Sequence, residues 1–312
     1  MNGNGIPYKD YTSEYKLEER IGEGSKGRVY LALTARGGSP VILKFLEKSS
    51  VDEQDILSEY NVKIAIRKHC EQRGIKYLVC YKDLFRTSMG GKNYYVIVMD
   101  YVKGENLSSL LERKGATEQD KIVITESLLR AVNVLHDAML AHRDINPDNI
   151  VYDKEGKRAV LIDYGLTCSL GRIKNGYIKP CECELWRPNS FTDPSLCSGK
   201  RRSTIAPGYL RDNERDTHSS HWMQADLYSV GIILLLLWST NEHPLANIQR
   251  SVAEIPNGFV RRIVDGFIGH RIKARGEYMQ TLASNFSRKD LFREFDIGGG
   301  EPGVEDLISQ YM

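Results

Sequence analysis

An α+β fold is predicted for this chain, and three features predict it. Short apolar segments separated by glycine turns fill residues 15–101, interrupted by one stretch with helical spacing. A capped amphipathic pattern from Thr117 and an apolar run from Ile232 to Trp238 make the second half mainly helical. Between the halves lies His142-Arg143-Asp144-Ile145-Asn146-Pro147-Asp148-Asn149, followed later by Asp163-Tyr164-Gly165. With 312 residues and 41% apolar content, the chain can bury one large core or two modest lobes. A formal charge of +2 gives no electrostatic case for nucleic acid or a membrane surface as partner. The apolar run is far short of the roughly 18 residues that a span requires. The first residues lack the basic and apolar regions of a signal peptide. A soluble, cytoplasmic protein is therefore expected, with its six cysteines reduced.

Residues 1–13 are polar and glycine-bearing, and a flexible arm is expected there. Gly22-Glu23-Gly24-Ser25-Lys26-Gly27, flanked by Ile21 and Val29, forms a glycine-rich hairpin whose backbone can approach phosphates closely. A strand pair follows it, Val29 to Leu33 and Pro40 to Phe45, where a dinucleotide-binding turn would lead into a helix. Lys44 lies inside the apolar run Val41-Ile42-Leu43-Lys44-Phe45. A strand lysine can simply face solvent. Glu59, however, sits on a predicted helix from Asp52 to about Lys68 that carries Ile56, Tyr60, Ile64 and Ala65 at helical spacing. Tyr77 to Arg86 and Tyr94 to Tyr101 read as paired strands around Gly90-Gly91, and Thr117 to Asp120 as a helix cap. Ile150-Val151 and Val160-Leu161-Ile162 read as two strands joined by Asp153-Lys154-Glu155-Gly156. That hairpin returns Asp163 to the side of Asn149. Two hard oxygen ligands beside the carboxylate of Asp144 suit Mg²⁺ with a bound polyphosphate.

These motifs, in this order, resemble those of the eukaryotic-type protein kinases. The resemblance implies a two-lobed kinase fold over residues 14–285: an N-lobe at 14–99, a hinge at 100–104 and a C-lobe at 105–285. Residues 286–312 are left as a C-terminal extension. It implies ATP and Mg²⁺ as cofactors and a protein substrate. Asp144 is then the catalytic base, Asn149 and Asp163 the metal ligands, and Lys44 the phosphate-binding cation held by Glu59. Arg143 becomes the anchor for a phosphorylated or acidic activation segment. The nucleotide site takes in Gly22, Glu23, Gly24, Ser25, Gly27, Val29, Ile42, Lys44, Met99, Asp100, Val102, Val151 and Ile162. Asn106 or Glu105 is expected at the ribose. Asp226 resembles the aspartate that leads a C-lobe helix and caps the backbone of the catalytic loop.

Three positions depart from the family pattern. Ile42 stands where alanine is usual above the adenine, narrowing that ceiling, and Gly208 replaces the acid of Ala-Pro-Glu. Asn146 replaces the lysine that meets the γ-phosphate in serine/threonine kinases; Arg201 or Arg202 is a candidate substitute. A serine or threonine acceptor is favoured, because the loop lacks the arginine run of tyrosine kinases. A pseudokinase that binds nucleotide or partners as a scaffold and a small-molecule phosphotransferase of the aminoglycoside or choline type are the alternatives. Residues 166–205 form a long activation segment with Cys168, Cys181, Cys183 and Cys197, for which unpaired thiols are favoured over zinc with His218 and His221. Ser190, Thr192, Ser195, Ser198 and Ser203 are candidate phosphorylation positions.

Overall fold

Strand parity decides which side of the first sheet becomes the cleft. A computed structural model describes residues 5–24, 27–171, 177–181 and 217–268. Five strands, β1 (Tyr15–Gly24), β2 (Gly27–Thr34), β3 (Pro40–Glu47), β4 (Tyr81–Met89) and β5 (Lys92–Asp100), form an antiparallel sheet in the order β1-β2-β3-β5-β4. Along β3, Val41, Leu43 and Phe45 join Phe85, Tyr94, Val96 and Val98 in an outer apolar cluster. The alternate residues Ile42 and Leu46 join the main core with Tyr95, Ile97 and Met99. Because side chains alternate, Lys44 shares the inner face, and its register partners are Val29 and Ile97. The β4–β5 turn uses Gly90 and Gly91 with φ of 59° and 78°, the left-handed geometry of a two-residue hairpin.

The N-terminal segment is not a loose arm over its described part. Pro7 and Lys9 bond the backbone of Arg86, Ile6 is buried, and Tyr11 packs edge-on against Phe45. The segment thus docks along β4, with Tyr11 and Lys9 against Phe45 and Phe85 of the outer face and Ile6 in the main core.

Helix α1 (Glu53–Ala65) starts at Asp52, whose carboxylate accepts the Gln54 N–H. It stops at Ile66, and a short α2 (Arg67–Glu71) follows, where one continuous helix was expected. The chain then returns to β4 through residues 72–80. His69 Nε2 accepts the Tyr77 and Leu78 N–H groups there, and burial lowers its pKa to about 4. Neutral imidazole is the state that can accept.

The second lobe is built on α3 (Leu107–Glu112), α4 (Glu118–Asp137), α5 (Thr217–Trp238), α6 (Ile248–Ala253) and α7 (Gly258–Ile268). Short strands β6 (Glu105–Asn106), β7 (Leu140–Ala141), β8 (Ile150–Asp153), β9 (Arg158–Leu161) and β10 (Cys168–Ser169) lie between the helices. Thr117 and Asp120 complete a reciprocal capping box on α4, as their spacing predicts. Hydrophobic nearly all round, α5 packs on α4 and α7 as an interior helix. It begins well before Asp226, so that residue lies inside the helix and does not lead it.

Two disulfides, Cys70–Cys80 and Cys168–Cys181, overturn the expectation of reduced thiols for those four residues. Chain reversal at residues 72–80 and the pairing of Ser169 with Pro180 bring each pair within Cα distances of 5.8 and 5.0 Å, inside bridging range. Cys168 and Cys181 are thereby removed from any zinc site, while Cys183, Cys197 and the side chains of His218 and His221 lie outside the described residues. So do Ser25, Arg201, Arg202, Gly208, the candidate phosphorylation positions and the C-terminal extension. No helix among the described residues is long and apolar enough to cross a membrane.

Candidate active site

Lys44 joins three separate elements at one point. Its Nζ lies 2.8 Å from Glu59 Oε1 on α1 and 2.9 Å from Asp163 Oδ1 after β9. Burial works against the Lys44 charge, yet the two carboxylates raise its pKa above the ordinary lysine value. Burial also opposes charge on Asp163, but Lys44 and the Gly165 N–H hold that carboxyl below its usual value. Glu59 is pushed up by its burial, with Lys44 and Tyr81 pulling the other way. A Cβ on Gly165 would sit 3.1 Å from Asp163 Oδ1 and 3.4 Å from Glu59 Oε2, so glycine leaves room for this cluster.

The catalytic loop is held from behind. Asp226 accepts the His142 N–H at 2.8 Å and the Arg143 N–H at 2.9 Å, and it contacts His136 Nε2 at 3.1 Å. Its expected role holds although its place on the helix does not. Arg143 and Asp163 both adopt left-handed backbone, with φ of 69° and 63°, at a cost of roughly 1–3 kcal/mol each. Neighbouring contacts must therefore enforce both turns. The Arg143 guanidinium stacks 4.6 Å from the Trp222 ring, a contact between residues 79 apart that no local pattern announces.

Asp144 is clamped by two amides. Asn149 Nδ2 donates to its Oδ2 at 2.9 Å, and Asn146 Nδ2 donates to its Oδ1 at 3.0 Å. Burial raises the Asp144 pKa, the two amides counter it, and Asp163 adds to the rise. Asn146, read from sequence as a missing cation, has a second task. Its Oδ1 accepts the Asp148 and Asn149 N–H groups and so caps the 3-10 turn Pro147–Asn149. The predicted hairpin forms, and Ile162 N–H bonds the Asn149 carbonyl at 2.8 Å, fixing Asp163 beside the loop.

A cleft of about 590 Å³, open to solvent, lies over this cluster. Its walls include Val29, Ile42, Met99, Asp100, Val102, Val151 and Ile162, all expected, along with Ile21, Val79 and Tyr101, which the sequence reading missed. Ile42 is buried in the ceiling without closing the cleft. Among the described residues the Val102 N–H has no backbone partner. An apolar slot ending at a free hinge amide suits a planar heterocycle. Asn149 turns its amide nitrogen to Asp144, and Asp163 spends Oδ1 on Lys44 and Gly165. One oxygen of each is left, a hard donor set that fits Mg²⁺.

Several expected contacts differ. Asn106 caps α3 through Oδ1 and donates Nδ2 to the Asp148 carbonyl at 2.7 Å, so its amide is not directed at a ribose. Glu105 pairs with Arg113 at 2.5 Å. Glu23 is exposed between Arg20 and Arg28. Gly27 serves packing: a Cβ there would meet the Phe45 carbonyl oxygen at 2.1 Å. Gly22 has only ordinary neighbours and Gly24 precedes the undescribed pair 25–26.

Residues beyond Asp163-Tyr164-Gly165 also reach α1. Lys179 N–H donates to Ser58 Oγ at 2.9 Å, Asn61 Nδ2 donates to the Tyr177 carbonyl at 2.9 Å, and Lys179 pairs with Asp55. Asp55, Ser58 and Asn61 fall on one helical face at spacings of three. The Cys168–Cys181 bridge closes the loop that carries these contacts.

Comparison with known proteins agrees with this geometry. Residues 15–265 match the protein kinase domain. Probable serine/threonine protein kinase IRE of Arabidopsis thaliana is 29% identical over 274 residues, covering 82% of this chain and 22% of its own length. CBL-interacting protein kinase 32 of Oryza sativa subsp. japonica is 28% identical over 232 residues, covering 73% of this chain and 46% of its own. Serine/threonine-protein kinase SBK1 of Danio rerio is 28% identical over 203 residues, covering 64% and 48%. The chain thus spans less than half the length of each of these relatives. With the lysine bridge, the clamped aspartate and the hinge cleft all falling inside the matched region, the chain belongs to the protein kinase family.

Proposed function

We propose that this chain transfers the γ-phosphoryl group of ATP to a serine or threonine hydroxyl of a protein. The observation that carries the reading is the Lys44 bridge between Glu59 and Asp163, formed across a cleft whose floor leads to a clamped Asp144. Lys44, fixed by Glu59, offers a positioned cation to the α- and β-phosphates. Asn149 and Asp163 would hold Mg²⁺, whose charge offsets the negative charge on the phosphates. Asp144 accepts the substrate hydroxyl proton at a carboxylate oxygen; its raised pKa makes it a better base than an ordinary aspartate. Asn146 and Asn149 orient that carboxylate through Nδ2. A hydroxyamino acid of the serine/threonine type is supported by the names of the relatives and by the absence of a tyrosine-type arginine in the loop.

Purified protein with labelled ATP, Mg²⁺ and a mixed protein substrate tests this directly. Label is expected on serine and threonine, with Asp144→Asn slower by about 10²–10⁴. Equal incorporation by both proteins would leave a nucleotide-binding scaffold as the reading. Label on small metabolites in place of protein would point to a small-molecule phosphotransferase.

A further inference from the structure

Tyr81 stands at the first residue of β4, where its side chain reaches both the helix and the metal triplet. Its hydroxyl donates to Glu59 Oε1 at 2.9 Å, the same oxygen that receives Lys44 Nζ. It also accepts the Tyr164 N–H at 3.3 Å. The ring lies 5.0 Å from the Tyr164 ring, which stands 6.0 Å from His142. Tyr164 in turn donates its hydroxyl to the Val79 carbonyl at 2.6 Å, so the two tyrosines brace each other across the start of β4. Both are almost wholly buried. In so dry a site the hydrogen bond from a neutral phenol to a carboxylate is strong, and leaving Glu59 without it is costly.

We infer that Tyr81 is a positioning residue for phosphoryl transfer, its hydroxyl fixing Glu59 on α1 and the Asp163–Tyr164 peptide in one arrangement. A hydrophobic residue at this position would pack against Tyr164 equally well. The hydroxyl both donates to the helix acid and accepts from the amide that follows Asp163, which an apolar side chain cannot do. Lys44 is then aligned from two directions: by Glu59, which Tyr81 steadies, and by Asp163, whose backbone Tyr81 anchors one residue on. Burial and the two nearby carboxylates keep the phenol far above its ordinary pKa, so it remains a donor at working pH.

The inference rests on the proposed kinase reading, and a double-mutant cycle separates the two. Tyr81→Phe keeps the ring and removes the hydroxyl. It is expected to lower kcat/KM about tenfold in the otherwise native chain and less than twofold in a Glu59→Leu background, where no acceptor for the hydroxyl remains. Replacing Tyr81 with 4-aminophenylalanine, which restores a donor, should recover most of the rate. With 4-methylphenylalanine, which fills the hydroxyl's space without donating, the rate should stay low even if the phenylalanine variant folds poorly. A Tyr81→Phe protein within twofold of wild type, or an equal loss in both backgrounds, overturns the inference. If wild type shows no turnover above Asp144→Asn, the kinase reading fails. The same cycle is then read through the dissociation constant of ATP with Mg²⁺, expected to weaken about fivefold with Tyr81→Phe and to stay unchanged with Glu59→Leu already present.

Discussion

Asn146 shows how one short side chain replaces two functions. Its amide nitrogen points at Asp144, and its oxygen caps the turn carrying Asn149. A lysine there would carry charge but has no acceptor for the Asp148 and Asn149 N–H groups. Asn146→Ala therefore loosens both Asp144 and the turn that carries Asn149. Steady-state kinetics should show kcat reduced about tenfold, with a smaller change in the KM for ATP. An unchanged kcat would mean that Asn149 alone orients the base. Asn146 was conspicuous in the sequence only as a departure. Its hydrogen bonds lie in a loop that turns left-handed at Arg143, and no residue type announces that turn.

At the scale of the element, α4 delivers the catalytic loop and is fixed at its start by Asp120. That carboxylate accepts from the Thr117 N–H at 2.9 Å and the Tyr152 hydroxyl at 2.6 Å, and it lies 3.2 Å from Lys154. Burial opposes its charge, but the bonds from Tyr152 and Thr117 prevail and lower its pKa from 3.8 to about 2. Because the folded value lies below the unfolded one, its contribution of about 2 kcal/mol is fully present above the unfolded value. It is lost as pH falls through about 2. Urea unfolding from pH 5 to 2 should show this loss in wild type and a flatter profile in Asp120→Asn. Parallel profiles would remove Asp120 as the source. The capping box was legible because it is local, spanning four residues. The bond to Tyr152, 32 residues away, was not.

At the scale of the molecule, the two lobes meet around a cleft whose ligands come from both. The sheet supplies Lys44, α1 supplies Glu59, and the loop after β9 supplies Asp163. Binding of ATP with Mg²⁺ should therefore stabilise the whole protein, by roughly 2.7 kcal/mol at a hundredfold excess over the dissociation constant. Thermal unfolding should show a rise in Tm that requires Mg²⁺ in wild type. In Asp163→Asn the rise should lose most of its Mg²⁺ dependence. A Tm shift in wild type that is the same with and without Mg²⁺ would remove Asn149 and Asp163 as the metal ligands.

The antiparallel strands of the first lobe and the return of Asp163 to Asn149 follow from the chain alone, and the Lys44–Glu59 pairing from the resemblance that its motifs carry. Each rests on local periodicity, turn residues or a motif whose spacing carries its chemistry. Tertiary structure decided the rest. It docked Pro7 and Lys9 along β4, placed Asp226 inside a helix, paired Cys70 with Cys80 and Cys168 with Cys181, and brought Tyr81 to Glu59. Those outcomes depend on contacts between residues distant along the chain and on buried polar groups finding partners, and neither leaves a periodic trace in the sequence.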